Sequence, residues 1–395
     1  MLKGKCVVLG VTGSIAAYKI ANLASALVKL GADVNVIMTK NATNFINPIT
    51  FETLTSNKCL VDTFDRDFQF NVEHVALAKR ADIFMVAPAS ANVIGKMAHG
   101  IADDMLTTTI LAAKCKKLVS PAMNTNMFTN PIVQDNLEIL KKYGFEIIQP
   151  ASGYLACGDT GAGKMPEPEV LLQYILREIA FNHDLDGKKV MITAGPTQEA
   201  IDPVRYISNH STGKMGYAIA RAAMLRGAEV TLVSGPVAIQ PPIFVDVVNI
   251  KSAAEMAEAV KSRAGEMDII IKSAAVADYR PATVAAEKIK KKDGEASSIE
   301  LERTEDILSF LGANKKPGQF VCGFSMETEN MLENSKAKLK KKNVDMIVAN
   351  NLRTAGAGFG TDTNVVTLIT ADDARELPIM SKDDVAQAIL DEIVK

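Results

Sequence analysis

Lys5-Cys-Val-Val-Leu-Gly-Val-Thr-Gly-Ser-Ile-Ala-Ala-Tyr-Lys19 runs from a short apolar stretch through a turn of glycine and hydroxyl residues into a helical pattern. Near residue 188 the chain does the same again. Lys188-Lys-Val-Met-Ile-Thr-Ala-Gly-Pro-Thr197 is followed by Ile207-Ser-Asn-His-Ser-Thr-Gly-Lys-Met-Gly216 and a second helical run. A strand that delivers glycines and hydroxyls to a helix N-terminus makes an anion site. The first N–H groups of a helix lack intrahelical partners, and its dipole favours negative charge. Two such openings predict two α/β domains, each with a phosphate-bearing ligand. Neither is a G-x-G-x-x-G fingerprint, and Gly213-Lys214-Met215 lacks the spacing and hydroxyl of a Walker loop.

Around the first opening, strand and helix patterns alternate. Apolar runs at 6–9, 34–38, 83–87, 117–119 and 146–148 are short and unbroken, as parallel strands covered on both faces require. Amphipathic stretches at 15–30, 91–98, 104–114 and 131–143 fall between them. This predicts a doubly wound sheet with its ligand at the carboxyl ends of the strands. Residues 151–168 hold four glycines and two prolines, and they read as a long mobile loop without regular structure. A helix at 168–180 leads to Asn182-His-Asp-Leu-Asp-Gly187, the expected linker. Around the second opening, strands are expected near 190–193, 230–234, 245–249, 269–273, 320–324 and 346–349, with a glycine-rich loop at 356–364.

The 395 residues exceed one ordinary core and suit two domains. The 44 basic and 46 acidic residues leave a net charge of −2, so no field steers the chain toward nucleic acid or anionic membrane. No apolar run approaches the ~18–20 residues that span a bilayer. The first strand starts too early for a signal peptide, and a cytoplasmic protein is expected. The five cysteines are scattered, with no CxxC pair, which argues against a disulfide framework or a zinc site.

Several residues invite two readings. His74 opens an amphipathic helix, where a lone histidine is more often a surface residue than a participant in chemistry. Ser90 and Asn92 follow a buried strand, where a ligand belongs, but both types also cap helices. Pro121-Ala-Met-Asn124 repeats that ambiguity one strand later. Cys157 stands in the glycine-rich stretch, unlike Cys6 and Cys322 in apolar strand patterns, and is the strongest nucleophile or acid candidate. The clusters Lys288/Lys290/Lys291/Lys292 and Lys338/Lys340/Lys341/Lys342 are either solvated faces or a triphosphate clamp. Asp278 stands at a strand end, where a ribose or Mg²⁺ partner belongs.

The motifs Gly13-Ser14-Ile15, His74, Pro88-Ala-Ser-Ala-Asn92, Pro121-Ala-Met-Asn-Thr-Asn-Met127 and Leu155-Ala-Cys-Gly158 resemble those of the flavin-dependent phosphopantothenoylcysteine decarboxylases. Ala194-Gly-Pro-Thr197, Ile207–Gly216, Ala274-Ala-Val-Ala-Asp-Tyr279 and Lys288-Ile-Lys-Lys291 resemble those of the bacterial phosphopantothenate–cysteine ligases. Their order and fusion resemble the bifunctional coenzyme A biosynthesis family over essentially the whole chain. Phe128 departs from the tryptophan often found there, though an aromatic side chain is kept.

The resemblance implies a flavodoxin-like decarboxylase domain over 1–185 and a Rossmann-like ligase domain over 186–395. It implies FMN held by Gly13, Ser14, Thr39, Ser90, Met105 and Leu106, with Asn92, Asn124 and Met127 on the substrate. His74 would be the base and Cys157 the proton donor. In the ligase half it implies Asn209 in acyl-nucleotide formation, Arg205 on the acyl intermediate and Lys288 neutralising charge. CTP would meet Ser273, Ala274, Ala275, Asp278, Lys288, Glu305, Asp306, Ile307, Leu308, Phe324, Lys338 and Lys342, with Mg²⁺ at Asp278. The expected substrates are 4'-phosphopantothenate, cysteine, CTP and 4'-phosphopantothenoylcysteine. A large homo-oligomer is expected, trimer-based in the first domain and dimeric in the second, up to a dodecamer. A different flavin-dependent cysteine decarboxylase, or a flavin prenyltransferase fused to a nucleotide-binding domain, is the competing reading; it leaves the second half or Cys157 unexplained.

Overall fold

The computed structural model describes residues 1–64, 73–154, 160–290, 298–327, 330–351, 358 and 360–395. The chain divides into two compact units, Met1–Phe181 and Asn182–Lys395.

In the first unit, β1 (Cys6–Val11) and β3 (Ile83–Ala89) are buried at every residue. Such strands must be covered on both faces, so helices flank the sheet. α1 (Ala17–Lys29) buries Ala17, Ile20, Leu23, Ala24 and Leu27, a 3.6-residue stripe facing the sheet. β2 (Asp33–Met38) and α2 (Pro48–Thr55) follow, then α3 (Glu73–Arg80), α4 (Ala91–Ala98) and α5 (Met105–Ala112). β4 (Lys116–Pro121), α6 (Thr125–Phe128), α7 (Pro131–Lys142) and β5 (Phe145–Ile147) complete the alternation. The five strands are parallel in the order β2-β1-β3-β4-β5. Winding reverses between β1 and β3, which opens a crevice at their carboxyl ends. Phe84, Val86, Ile94, Leu106 and Val119 fill the core, and burying each such side chain contributes about 1.5–3 kcal/mol.

Residues 151–168 correct an expectation. Among their described residues, β6 (Ala151–Tyr154) and β7 (Thr160–Lys164) pair antiparallel before α8 (Pro168–Ile179), where an irregular loop was expected. Gly161 and Gly163 allow close approach rather than preventing structure. Gly163 has φ +125°, and a Cβ there would stand 2.4 Å from the Met123 carbonyl oxygen. Only glycine lets β7 lie against that segment, where Met123 N donates to Gly163 O at 3.1 Å.

The second unit opens with β8 (Lys189–Ala194), the short pair β9 (Gln198–Ala200) and β10 (Tyr206–Ser208), and α9 (Lys214–Leu225). β11 (Glu229–Ser234), β12 (Asp246–Asn249), α10 (Ala253–Ala264) and β13 (Ile269–Lys272) follow. Next come the pair β14 (Tyr279–Pro281) and β15 (Leu301–Arg303), α11 (Ile307–Ala313), β16 (Phe320–Glu327), α12 (Met331–Lys342) and β17 (Met346–Asn351). β18 (Thr363–Asn364), β19 (Val366–Ile369), β20 (Ala374–Glu376), β21 (Met380–Ser381) and α13 (Lys382–Ile393) close the unit. The main sheet runs β12-β11-β8-β13-β16-β17-β19-β20, with the last two strands antiparallel. Its six parallel strands have the dinucleotide-fold order, with reversal between β8 and β13. Buried Arg226 ties the unit's first segment to its last helix. Its Nε donates to Asp184 Oδ1 at 2.8 Å and its Nη1 to Asp391 Oδ1 at 2.7 Å.

Candidate functional site

The first unit has a cavity of about 620 Å³ at the carboxyl ends of β1, β3 and β4. The turn Gly13–Ala16 forms one wall, Ser90 and Ala91 a second, and Ala122–Asn124 a third. Gly163–Met165 and Met127 close it. Buried Thr12 holds the first two walls in register: its hydroxyl donates to Pro88 O at 2.7 Å and accepts from Ser90 N at 2.9 Å. The capping and ligand readings of Ser90 and Asn124 are compatible. Ser90 Oγ caps α4 at Val93 N and Asn124 Oδ1 caps α6 at Asn126 N, while both residues line the cavity. The walls are rich in alanine and methionine, which suits a flat, largely apolar ring. α1 starts at an N-cap, Ala16, with no side-chain acceptor, beside the charged Lys19. This donor set fits a phosphate-bearing planar cofactor.

Lys19, Lys164 and Glu167 also line this cavity, and the sequence reading did not single them out. Lys19 Nζ contacts Glu167 Oε1 at 2.7 Å and Lys164 Nζ approaches it at 3.8 Å. The Lys19 hydrogen bond holds the Glu167 carboxyl below the usual range. Lys19 could have been found from its place one turn into the helix that the glycine turn opens. Lys164 and Glu167 were concealed in the stretch read as a loop.

Gly13, Ser14, Ser90, Asn124 and Met127 thus converge. Other expected residues do not line this cavity. Thr39 is buried at the end of β2, where its hydroxyl accepts from Ala42 N at 3.3 Å. Met105 and Leu106 are buried in the first turn of α5. Asn92 is exposed on α4, and His74 is half-buried at the second position of α3. Cys157 lies outside the described residues.

In the second unit, a crevice at the carboxyl ends of β8, β13 and β16 consists of two adjoining cavities of about 300 and 610 Å³. They share Lys272, Val276, Asp278, Phe324 and Lys338. The smaller is built on the α9 turn, Asn209 and Ser273–Ala275. Gly213 forms that turn with φ +76° and caps α9 without a side chain. A Cβ there would meet Val237 Cγ1 at 2.8 Å, so glycine is required. Two buried hydroxyls hold the segment after β13: Thr193 Oγ1 accepts from Ala274 N at 3.1 Å and Thr197 Oγ1 from Ala277 N at 3.0 Å. Asn209 Nδ2 donates to Ala275 O at 2.9 Å, which fixes its side chain at the crevice wall.

The larger cavity takes its walls from Thr304–Leu308 and from α12 through Lys338, Lys341 and Lys342. Lys338 Nζ donates to Phe324 O at 3.1 Å. Lys342 Nζ bonds Asp306 Oδ2 and, at 2.8 Å, Ser309 Oγ. Burial pushes the Asp306 carboxyl up, but the Lys342 bond and Ser309 N–H outweigh it and leave the group below its usual range. Ser273, Ala274, Ala275, Asp278, Glu305, Asp306, Ile307, Leu308, Phe324, Lys338 and Lys342 therefore line one continuous crevice. Lys272, Lys214 and Lys382 line it too and were not foreseen. Among the described residues, no cluster of three or more His, Cys, Asp or Glu side chains could hold a metal.

Lys288 and Arg205 do not line the crevice. Arg205 is held by buried Asp202, with Nη2 and Nε at 2.6 and 3.0 Å from Oδ2. Asp202 Oδ2 also accepts from Ile289 N at 3.1 Å, so exposed Lys288 sits beside this knot. Arg205 above all holds the Asp202 carboxyl far below its usual range. Lys291 and Lys292 lie outside the described residues.

The family described as Flavoprotein matches residues 1–180, and the DNA/pantothenate metabolism flavoprotein C-terminal domain matches residues 185–395. The coenzyme A biosynthesis bifunctional protein CoaBC of Bacillus subtilis (strain 168) is 49% identical over 397 residues, covering 100% of this chain and 97% of its own. That of Vibrio vulnificus (strain CMCP6) is 44% identical, covering 99% and 98%, and that of Escherichia coli (strain K12) is 43% identical, covering 100% and 97%. Similarity across both halves does not favour the competing reading of an unrelated fusion. With both units matched and the whole chain covered, the chain belongs to the family of coenzyme A biosynthesis bifunctional proteins.

Proposed function

We propose that this bifunctional enzyme of coenzyme A biosynthesis works as follows. The second unit, over 186–395, joins 4'-phosphopantothenate to cysteine at the expense of CTP. The first, over 1–185, decarboxylates the resulting 4'-phosphopantothenoylcysteine. The observation that carries this reading is the contrast between an alanine- and methionine-lined cavity on one sheet and a lysine-lined crevice on the other.

FMN in the first cavity supplies the two-electron oxidation of the cysteinyl end that lets an acylated aminoacid lose CO₂, and returns the electrons afterwards. Gly13, Ser14 and Ser90 would bind and orient it in the cavity that alanine and methionine side chains help to line. Asn124 anchors the substrate's carboxylate or amide. By resemblance, His74 takes the thiol proton and Cys157 returns a proton to the product. By the same resemblance Thr39, Met105 and Leu106 would belong to the flavin contacts and Asn92 to the substrate contacts.

In the crevice, the substrate carboxylate occupies the smaller cavity beside Asn209 and the nucleotide the larger. The carboxylate attacks the α-phosphoryl group and pyrophosphate leaves; the amine of cysteine then displaces CMP. Lys338 and Lys342 hold phosphates, while Arg205 and Lys288 act on the acyl intermediate. Asp278 would hold Mg²⁺ together with the nucleotide's phosphates, since Mg²⁺ is usually held by one or two carboxylates plus phosphate. The peptide edges at Ala274–Asp278 and Phe324 choose the base. The enzyme works in the cytoplasm as a large homo-oligomer, with trimeric contacts in the first unit and dimeric contacts in the second.

Purified protein should be yellow, release FMN on denaturation, and liberate pyrophosphate from CTP in the presence of 4'-phosphopantothenate and cysteine. A buried edge left unpaired costs about 1–3 kcal/mol, so ATP should serve at least tenfold less well. A colourless protein that takes up no FMN removes the first assignment, and equal use of ATP removes the base assignment.

A further inference from the structure

Lys272 is the last residue of β13, in register with Thr193 of β8 and Gly323 of β16. This is the winding reversal of the second sheet, where a ligand is expected. Its side chain lines both cavities, so it stands where the carboxylate and nucleotide compartments meet. Among the described residues, nothing hydrogen-bonds or ion-pairs with its ammonium. Lys338 and Lys342, by contrast, already bond Phe324 O and the Asp306–Ser309 pair. A half-buried, unpaired ammonium is costly, and a methionine of similar volume would fill the space without that penalty. The cost makes sense if an anion arrives.

We propose that the Lys272 ammonium binds the phosphoryl group at which the acyl–nucleotide bond forms, and stays charged through the transfer. This rests on the crevice being the nucleotide site. In that step the carboxylate oxygen forms a bond to the α-phosphorus. The bond from that phosphorus to the bridging oxygen breaks, and its electron pair leaves with pyrophosphate. No proton moves; Lys272 neutralises charge on the oxygens of the attacked phosphorus, where a preorganised cation has its largest effect.

The surroundings support a charge that responds to ligand. Lys338 and Lys342 face Lys272 from α12, Asp306 from the start of α11 and Asp278 from the segment after β13. Arg303, Glu305 and Lys341 line the larger cavity around them. Burial first, and then Lys338, bring the lysine down to about 8, against the pull of the two aspartates. A bound polyphosphate reverses that balance and restores the full charge. Tight binding therefore belongs below the free lysine's value and is lost as pH rises through it.

The test is calorimetric titration of the full chain with CTP and Mg²⁺ at pH 7 and pH 9, together with the rate of pyrophosphate release. Wild-type affinity should fall by about tenfold between the two pH values, the linkage expected of one proton held tightly only in the complex. Lys272→Arg, which keeps its charge at both, should bind with little pH dependence. Lys272→Met should bind weakly at both, with kcat for pyrophosphate release down by about 10²-fold. If Lys272→Met fails to fold by circular dichroism, the flat profile of Lys272→Arg decides. CTP binding by the wild type with no pH slope, or a wild-type kcat and slope in Lys272→Met, overturns the role of Lys272 and leaves the nucleotide site standing. No CTP binding by the wild type removes both.

Discussion

The two sites use the same backbone device and differ in what coats it. Each lies at the reversal of a doubly wound sheet, beside a glycine turn that starts a helix without a side-chain cap. In the first unit the walls are rich in alanine and methionine, and its two lysines, Lys19 and Lys164, both face Glu167. In the second, Lys214, Lys272, Lys338, Lys341, Lys342 and Lys382 all reach the crevice. Backbone geometry thus sets where a phosphate-bearing ligand can sit. The side chains decide whether its weight is a flat ring or a chain of charges.

That comparison breaks if damage to one site spreads to the other. The largest effect is expected from Asn209→Ala. Removing one preorganised donor typically costs about 10²–10³ in rate, so acyl-nucleotide formation should drop by that factor while the flavin spectrum stays unchanged. Gly163→Ala should act only on the first unit. A side chain forced to φ +125° against the Met123 carbonyl costs about 2–3 kcal/mol, read as flavin lost on gel filtration with CTP-dependent pyrophosphate release retained. The smallest effect is expected from Glu167→Gln. A half-exposed pair with Lys19 contributes at most about 1 kcal/mol at neutral pH. The Glu167 carboxyl is depressed when folded. Its contribution is therefore present above the ordinary glutamate value and lost as pH falls through the depressed one. Melting curves of wild type and variant should differ near neutrality and converge in acid; a gap that widens in acid would mean Glu167 is not stabilised by Lys19.

Unbroken apolar runs made the parallel strands legible: 34–38 and 83–87 became the body of β2 and β3, and 91–98 became α4. In the second unit the segment after β13 could be read because Asp278 follows a strand's carboxyl end, where a doubly wound sheet places its ligand. Lys272 could not, because Ile269-Ile-Ile-Lys272 reads only as a strand meeting water. Depth was the harder dimension. Thr39, Met105 and Leu106 come with the resemblance, yet they are buried and do not line the cavity. Glycine content misled at β6 and β7, since composition reveals missing side chains but not the neighbouring backbone that requires their absence. Lys288 stands in a motif and Arg205 just before one; the Arg205–Asp202 pair is local, but its tie to Ile289, which sets both residues beside a knot rather than on the crevice, is a long-range contact no local pattern encodes.

The Arg226 bridge bears on how the second unit can be rearranged. One buried guanidinium grips Asp184, at the start of the second unit, and Asp391, in its last helix. The two ends of that half are therefore neighbours, and the unit is a closed loop of chain in all but covalent terms. A short linker could join those ends and new termini be opened at an exposed turn, giving a circular permutant with the sheet order and crevice intact. The same closure predicts that this half, appended to a partner through one end, keeps its fold at the other.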